Sequence, residues 1–209
     1  KQGVEITSGN TVAVKKADII FLAVKPLIAG PVLREINNLI KGKTVISLAA
    51  VVSIKNLKKY AKNAEIVRIM PNMAVACNQG VIGFFGNIRH KSEIIQLVSL
   101  LGSVVDVKKE EDLDSLTILS GCGPAIVSQF IESLAKYGIK IGLPAEISRM
   151  SAIQAFKGTT TILEKSKLPP SQLIQSVSTK GGISEAILDS LNTGKFNEIF
   201  TCAMDSGLS

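Results

Sequence analysis

The sequence predicts an α/β protein in two parts, an open parallel-sheet part over residues 1–110 and an all-helical part over residues 111–209. Three observations predict it. Short apolar runs alternate with helical patterns up to residue 110. Helical periodicity alone continues after it. The charge also changes sign: residues 1–110 hold 16 lysines and arginines against 7 acidic residues, a net of +9, while residues 111–209 hold 8 against 10, a net of −2.

Ile19 to Val24 is a short continuous apolar run, the pattern of a strand buried on both faces. Val45 to Leu48 is a second and Ile66 to Met70 a third. Helical patterns lie between them, at about 29–40 and 53–61, the second with Ser53 placed as its N-cap. Val81 to Phe85 and Val104 to Val107 read as further strands around a helix at about 91–101. Strand–helix–strand alternation with short connections predicts parallel strands in an open α/β sheet. Beyond Asp112 no strand is expected. Val127, Phe130, Ile131 and Leu134 follow helical spacing, as do Phe196, Ile199, Phe200 and Ala203. A long helix is expected over about 144–165, and shorter ones after Pro169-Pro170 and Gly181-Gly182. The acidic Glu110-Glu111-Asp112 segment marks the expected boundary.

Composition excludes several classes of chemistry. His90 is the single histidine, so Ser-His-Asp, Cys-His and zinc sites lack their residues. The three cysteines, Cys77, Cys122 and Cys202, are far apart and read as free thiols of a reducing, cytoplasmic setting. No uninterrupted apolar stretch reaches the roughly 18 residues of a spanning helix, and no membrane partner is expected. The basic front part suggests an anionic ligand. Nucleic acid is not expected: the lysines are scattered pairs, and two tyrosines with no tryptophan give little stacking surface.

In open α/β sheets ligands bind beyond the carboxyl ends of the strands. Three such ends carry distinctive residues: Ala23-Val24-Lys25-Pro26, Ser47-Leu48-Ala49-Ala50, and Arg68-Ile69-Met70-Pro71-Asn72. Pro26 fixes a turn, the small residues let a flat ligand approach the backbone, and Asn72 offers an amide donor and acceptor. Further on, Leu119-Ser120-Gly121-Cys122-Gly123-Pro124-Ala125 breaks helical propensity, with Thr117 and Ser120 supplying hydroxyls beside the break. The Ser178-Thr179-Lys180-Gly181-Gly182-Ile183-Ser184 turn opens a helix and would present backbone N–H groups to an anion such as a carboxylate.

These segments, with Val52-Ser53-Ile54 and Gly142-Leu143-Pro144, resemble the pyrroline-5-carboxylate reductase family in order and spacing, over essentially the whole chain. The resemblance implies a truncated Rossmann-like sheet domain that binds NADPH or NADH, followed by an all-helical substrate and dimerisation domain. It implies an intertwined homodimer, often built into larger rings, with residues of two subunits completing each site. It implies hydride transfer to the C=N carbon of 1-pyrroline-5-carboxylate, giving L-proline. By similarity Asn10, Ala23, Val24, Lys25, Pro26, Ala49, Ala50 and Asn72 line the cofactor. Thr117 and Ser120 carry the chemistry, and Thr179, Gly181, Gly182, Ile183 and Ser184 grip the substrate carboxylate. Two other readings remain open: a non-catalytic oligomeric scaffold or ligand-binding homologue, and a related imine or β-hydroxyacid-type dehydrogenase with another substrate.

The chain departs from the family pattern at Cys122 (usually Ser), Ile126 (often Tyr), Lys180 (usually Pro) and Ser184 (usually Thr). The family's first strand, G-x-G-x-x-G turn and first helix have no counterpart in these residues, so the chain is expected to be N-terminally incomplete. That turn supplies most pyrophosphate contacts in such folds. The 209 residues on their own are therefore expected to bind NADPH very weakly. A fluorescence titration that gave micromolar affinity would contradict this.

Overall fold

The computed structural model describes residues 3–207. Contacts divide the chain into two compact units, one ending at Pro124 and the other starting at Ala125.

The first unit is a five-stranded sheet in sequential order: β1 (Ile19–Leu22), β2 (Thr44–Ser47), β3 (Glu65–Pro71), β4 (Gly80–Phe85) and β5 (Gly102–Asp106). Its helices are α1 (Asn10–Lys15), α2 (Pro26–Ile36), α3 (Ile54–Lys58), α4 (Lys91–Ser99) and α5 (Asp112–Leu116). All five expected strands form. The parallel pairs β1–β2 and β2–β3 place Leu22 beside Ser47 and Ser47 beside Arg68, so three strand ends meet at one edge.

One expectation is overturned. β3 and β4 pair antiparallel, with Arg68 opposite Phe85 and Pro71 opposite Ile82. The chain between them is a single 3₁₀ turn at Met73–Cys77, followed by Asn78 in a left-handed conformation at φ 58°. A parallel crossover needs about a dozen residues or more. β4 and β5 are parallel again, joined across α4.

Strand alternation sorts the core onto two faces. Val45 and Ile66 join Leu33, Ile36 and Leu57 on one face. Ile46, Val67 and Ile69 join Phe84, Ile94 and Val98 on the other. Each such buried side chain contributes about 1.5–3 kcal/mol by leaving water. β2 is buried at every position, as its apolar run requires. β1 is not: Ile19 and Phe21 are exposed, because β1 is the edge strand among the described residues.

Helix limits also shift for local reasons. α2 starts at Pro26, whose fixed φ suits the first helical position, and gives way to a 3₁₀ turn at Asn37–Leu39. α3 is shorter than expected. Ser53 Oγ accepts from Asn56 N–H at 3.2 Å, the N-cap bond expected of it.

Arg68, 3% exposed, lies on the α3 face. It donates 2.9 Å to Glu110 Oε1, which also accepts 2.7 Å from the Ile54 N–H. One carboxylate therefore joins β3, α3 and the segment leaving β5. Arg68 Nε and Nη2 are buried with no hydrogen-bond partner. At the other end of β3, burial pushes the Glu65 carboxyl up, but the Arg89 guanidinium and N–H beside it hold it below the ordinary range.

The second unit is helical, as expected: the body of α6 (Gly123–Lys140), then α7 (Ala145–Ser166), α8 (Pro170–Val177), α9 (Ile183–Thr193) and α10 (Phe196–Asp205). α6 and α7 cross closely where a Cβ on Gly138 would lie 2.7 Å from Ser148 Oγ. Ala135 and Ala152 are the only fully buried apolar side chains among its described residues. Leu134, Tyr137, Ile187 and Leu191 are exposed around an apolar groove of about 750 Å³. No uninterrupted apolar run of about 18 residues is present in the sequence, yet one continuous helical stretch, Asp112–Lys140, is long and apolar enough to cross a membrane by length and composition. Within that stretch Leu113 is buried against the sheet, whereas Leu119, Val127, Leu134, Tyr137 and Ile139 are exposed.

Removing Glu110 strands the buried Arg68 charge. Glu110→Ala is expected to destabilise the protein by about 3 kcal/mol, read by urea denaturation. A change under about 0.5 kcal/mol, the size of an ordinary surface substitution, would show that the pair is not a structural joint.

Candidate active site

Ala23, Val24, Lys25 and Pro26 leave β1; Ala49 and Ala50 leave β2; Asn72 leaves β3. The parallel register brings these three sets to one edge. Lys25 is the N-cap of α2 and is exposed. Ala49 is buried, and its N–H donates 3.3 Å to Ser47 Oγ. Val51, next in line, has φ 61°, a rare conformation for a β-branched residue, and its side chain is turned out to solvent. Ala23, Ala49 and Ala50 carry nothing beyond Cβ, so the backbone at this edge is open to a flat ligand. That fits the dinucleotide implied by the sequence. Asn10 starts α1, and its Nδ2 donates 2.9 Å to Glu35 Oε2.

Asn72 behaves differently from its neighbours. Its Oδ1 accepts from Val81 N–H at 3.1 Å, and its Nδ2 donates 2.9 Å to the Ser120 carbonyl. Both ends of the amide are thus committed to protein. The second bond brings Thr117–Gly121 to this edge. That segment is a wide i→i+5 turn between α5 and α6, closed by Cys122 N–H to the Thr117 carbonyl at 3.2 Å. Such turns often occur at functional sites. α5 reaches β4 because Gly83 has no side chain: a Cβ there would lie 2.8 Å from Leu113 Cδ2 and 2.9 Å from Leu116 Cδ2.

Thr117 Oγ1 donates 2.7 Å to the Leu113 carbonyl, and Ser120 Oγ donates 2.7 Å to the Leu116 carbonyl. With their protons committed, both hydroxyl oxygens face other groups as acceptors. They suit a ligand N–H, above all a charged one.

The glycine turn lies in the second unit. Gly181 has φ 75°, a conformation that glycine adopts without steric cost. The turn presents fewer open amides than expected. Gly181 N–H donates 2.6 Å to Glu185 Oε2, and Gly182 N–H donates 2.9 Å to the Thr179 carbonyl. The donors left by position are those of Ile183 and Ser184 in the first turn of α9, whose N-cap, Gly182, has no side chain to cap them. Both residues are exposed. The sequence reading did not single out Glu185. Its signal was the acidic residue three places past the N-cap, the capping-box position.

A cleft of about 710 Å³ lies at the opposite end of the sheet, beside Glu65, Ile66, Phe85 and Asp106. Its carboxylates are all in ion pairs: Glu65 with Arg89, Asp106 with Lys91, Glu110 with Arg68. Among the described residues no group of three or more His, Cys, Asp or Glu side chains is placed to hold a metal.

An open α/β sheet with a small-residue crevice at its carboxyl edge, followed by a helical unit, defines a two-part dehydrogenase class. Comparison with known proteins narrows the class. A family model described as pyrroline-5-carboxylate reductase dimerisation matches residues 110–208, and one described as NADP oxidoreductase, coenzyme F420-dependent, matches residues 1–51. Pyrroline-5-carboxylate reductase 2 of Bacillus subtilis is 33% identical over 185 residues, covering 87% of this chain and 66% of that protein. The Glycine max enzyme is 32% identical, covering 93% and 72%, and human pyrroline-5-carboxylate reductase 2 is 33% identical, covering 99% and 67%. The chain thus spans about two thirds of the length of these relatives. Among solved structures, the Plasmodium falciparum pyrroline carboxylate reductase with NADP bound superposes with a TM-score of 0.85 at 33% identity, covering 96% of this chain and 78% of that one. The Coxiella burnetii pyrroline-5-carboxylate reductase does so at 0.90 and 28%, covering 98% and 78%. The chain belongs to the pyrroline-5-carboxylate reductase family.

Proposed function

We propose that this protein reduces 1-pyrroline-5-carboxylate to L-proline with NADPH or NADH, the last step of proline biosynthesis; its relatives are named pyrroline-5-carboxylate reductases. The observation that carries the reading is the bond from Asn72 Nδ2 to the Ser120 carbonyl, which brings a hydroxyl-bearing turn to the carboxyl edge of the sheet. No observation favours a scaffold or another dehydrogenase.

Ala23, Val24, Lys25, Pro26, Ala49 and Ala50 would hold the dinucleotide, with Asn10 and the backbone, not the side chain, of Asn72 at the margins of the same set. Lys25 sets a cation at the start of α2, where a phosphate oxygen would be stabilised. When bound, the nicotinamide supplies the hydride. The imine carbon accepts it once the ring nitrogen is protonated, and solvent can provide that proton. Thr117 Oγ1, already donating to Leu113, would accept from the iminium N–H and hold it. Ser120 Oγ lies in the same turn and has the same acceptor character. The substrate carboxylate would bind at the turn spanning Thr179, Gly181, Gly182, Ile183 and Ser184, chiefly through the first-turn amides of α9. Lys180 adds a cation to that turn. In domain terms, residues 1–110 serve the cofactor, and residues 111–209 serve substrate and assembly. A cytoplasmic setting suits three free, exposed thiols.

The test uses protein expressed from its complete gene, assayed for imine-dependent NADPH oxidation. Thr117→Ala is expected to lower kcat about tenfold or more, the worth of one hydrogen bond to a charged group, while Thr117→Ser retains most of it. Unchanged turnover in Thr117→Ala removes that role. Reduction of a different cyclic imine, with none of pyrroline-5-carboxylate, would move the reading to another substrate.

Among its described residues the helical unit buries almost no apolar side chain of its own, and that deficit supports a homodimer through it. Ile187, half exposed in the groove, tests this. Wild-type protein is expected to sediment as a dimer or larger ring, and Ile187→Asp to shift it toward monomer. A wild-type monomer would sink the assembly.

A further inference from the structure

The two bonds of Asn72 and the proline at position 124 fit together. In a regular α-helix the Ser120 carbonyl would accept from the N–H of residue 124. Residue 124 is proline, which has no N–H and whose ring crowds the carbonyl four places back. The helix answers by widening, with Cys122 N–H reaching back five residues to Thr117. The Ser120 carbonyl then receives the Asn72 amide at 2.9 Å. The amide cannot flip without facing two donors to each other, because Val81 N–H holds its oxygen.

We propose that Asn72 is a positioning residue of the reductase: it supplies the donor that Pro124 withholds, and so fixes the turn carrying the Thr117 and Ser120 hydroxyls against the end of β3. The proposal rests on the reduction proposed above and adds a role that neither hydroxyl has alone. It also separates Asn72 from the dinucleotide-lining residues, since its side chain acts through the turn. Proline at 124 and asparagine at 72 form one device: the proline opens a carbonyl, the asparagine closes it, and the anchor is the sheet rather than the helix.

Two variants test it in the full-length protein. Asn72→Asp keeps an acceptor for Val81 and loses the donor to Ser120. Pro124→Ala returns an N–H to the helix. Two readouts are needed: hydrogen exchange of the amides over 117–122, and steady-state kinetics. Asn72→Asp is expected to speed exchange over that segment and lower kcat, each by about three- to tenfold, the scale of one buried hydrogen bond. The KM for NADPH should stay within about twofold, since uniform cofactor binding is untouched. In the Pro124→Ala background the same Asn72→Asp change should leave exchange nearly unaltered, because the restored N–H serves Ser120. That double variant also keeps the test alive if Asn72→Asp alone folds poorly. A raised KM for NADPH with unchanged kcat would overturn the proposal in favour of direct cofactor contact. Additive effects of the two substitutions on exchange would overturn it as well. Faster exchange in Asn72→Asp, with no imine reduction by the wild type, would sink the reductase reading while the tie itself stood.

Discussion

The Arg68–Glu110 pair is the joint on which the first unit depends. Arg68 lies in the middle of β3, under α3, where a lone guanidinium would not be tolerated. Glu110 answers it from the chain leaving β5, and the same carboxylate oxygen receives the Ile54 N–H. Three segments distant in sequence are thus held at one oxygen. Four residues along the strand, Asn72 makes a second tie, to Ser120. β3 is therefore fastened at two points to the segment running from 110 to 120. The first tie directs the chain out of the sheet, and the second sets where the hydroxyl turn comes to rest.

The second unit has a different logic. Its helices carry clear apolar periodicity, yet the side chains left inside at the α6–α7 crossing are small: Ala135, Gly138, Ser148 and Ala152. Phe130, Phe196 and Phe200 form an aromatic cluster with ring centroids 6.0–6.2 Å apart. Larger aliphatic residues remain in solvent. Periodicity tells that a face must be buried, but not against what. The family model described as pyrroline-5-carboxylate reductase dimerisation matches residues 110–208, the stretch that leaves this apolar surface exposed.

Much of the fold was legible because it follows local rules. The five strands are apolar runs, and the helices of the second unit show a 3.6-residue period. Ser53 announces its cap, and Pro169-Pro170 announces the start of α8. The strand ends with small residues were legible too, since parallel neighbours place their carboxyl ends together. The errors were non-local. β1 read as a fully buried strand because an edge strand can carry the same apolar run. β4 read as parallel because its own residues do not encode direction; the eight residues linking it to β3 do. The glycine turn read as open amides, whereas Glu185 already holds one of them.

By itself the sequence determined the elements, the strand ends that share one edge and the family, because spacing and residue type fix local conformation. Tertiary structure alone decided what the polar side chains do. Asn72 reads as a ligand-facing amide in sequence; in the fold it is a strut between β3 and a widened helical turn. The reason is physical: a hydrogen bond between residues 48 positions apart depends on where two backbones meet, and Pro124 shows only that a carbonyl will lack its helical donor, not which side chain will reach it.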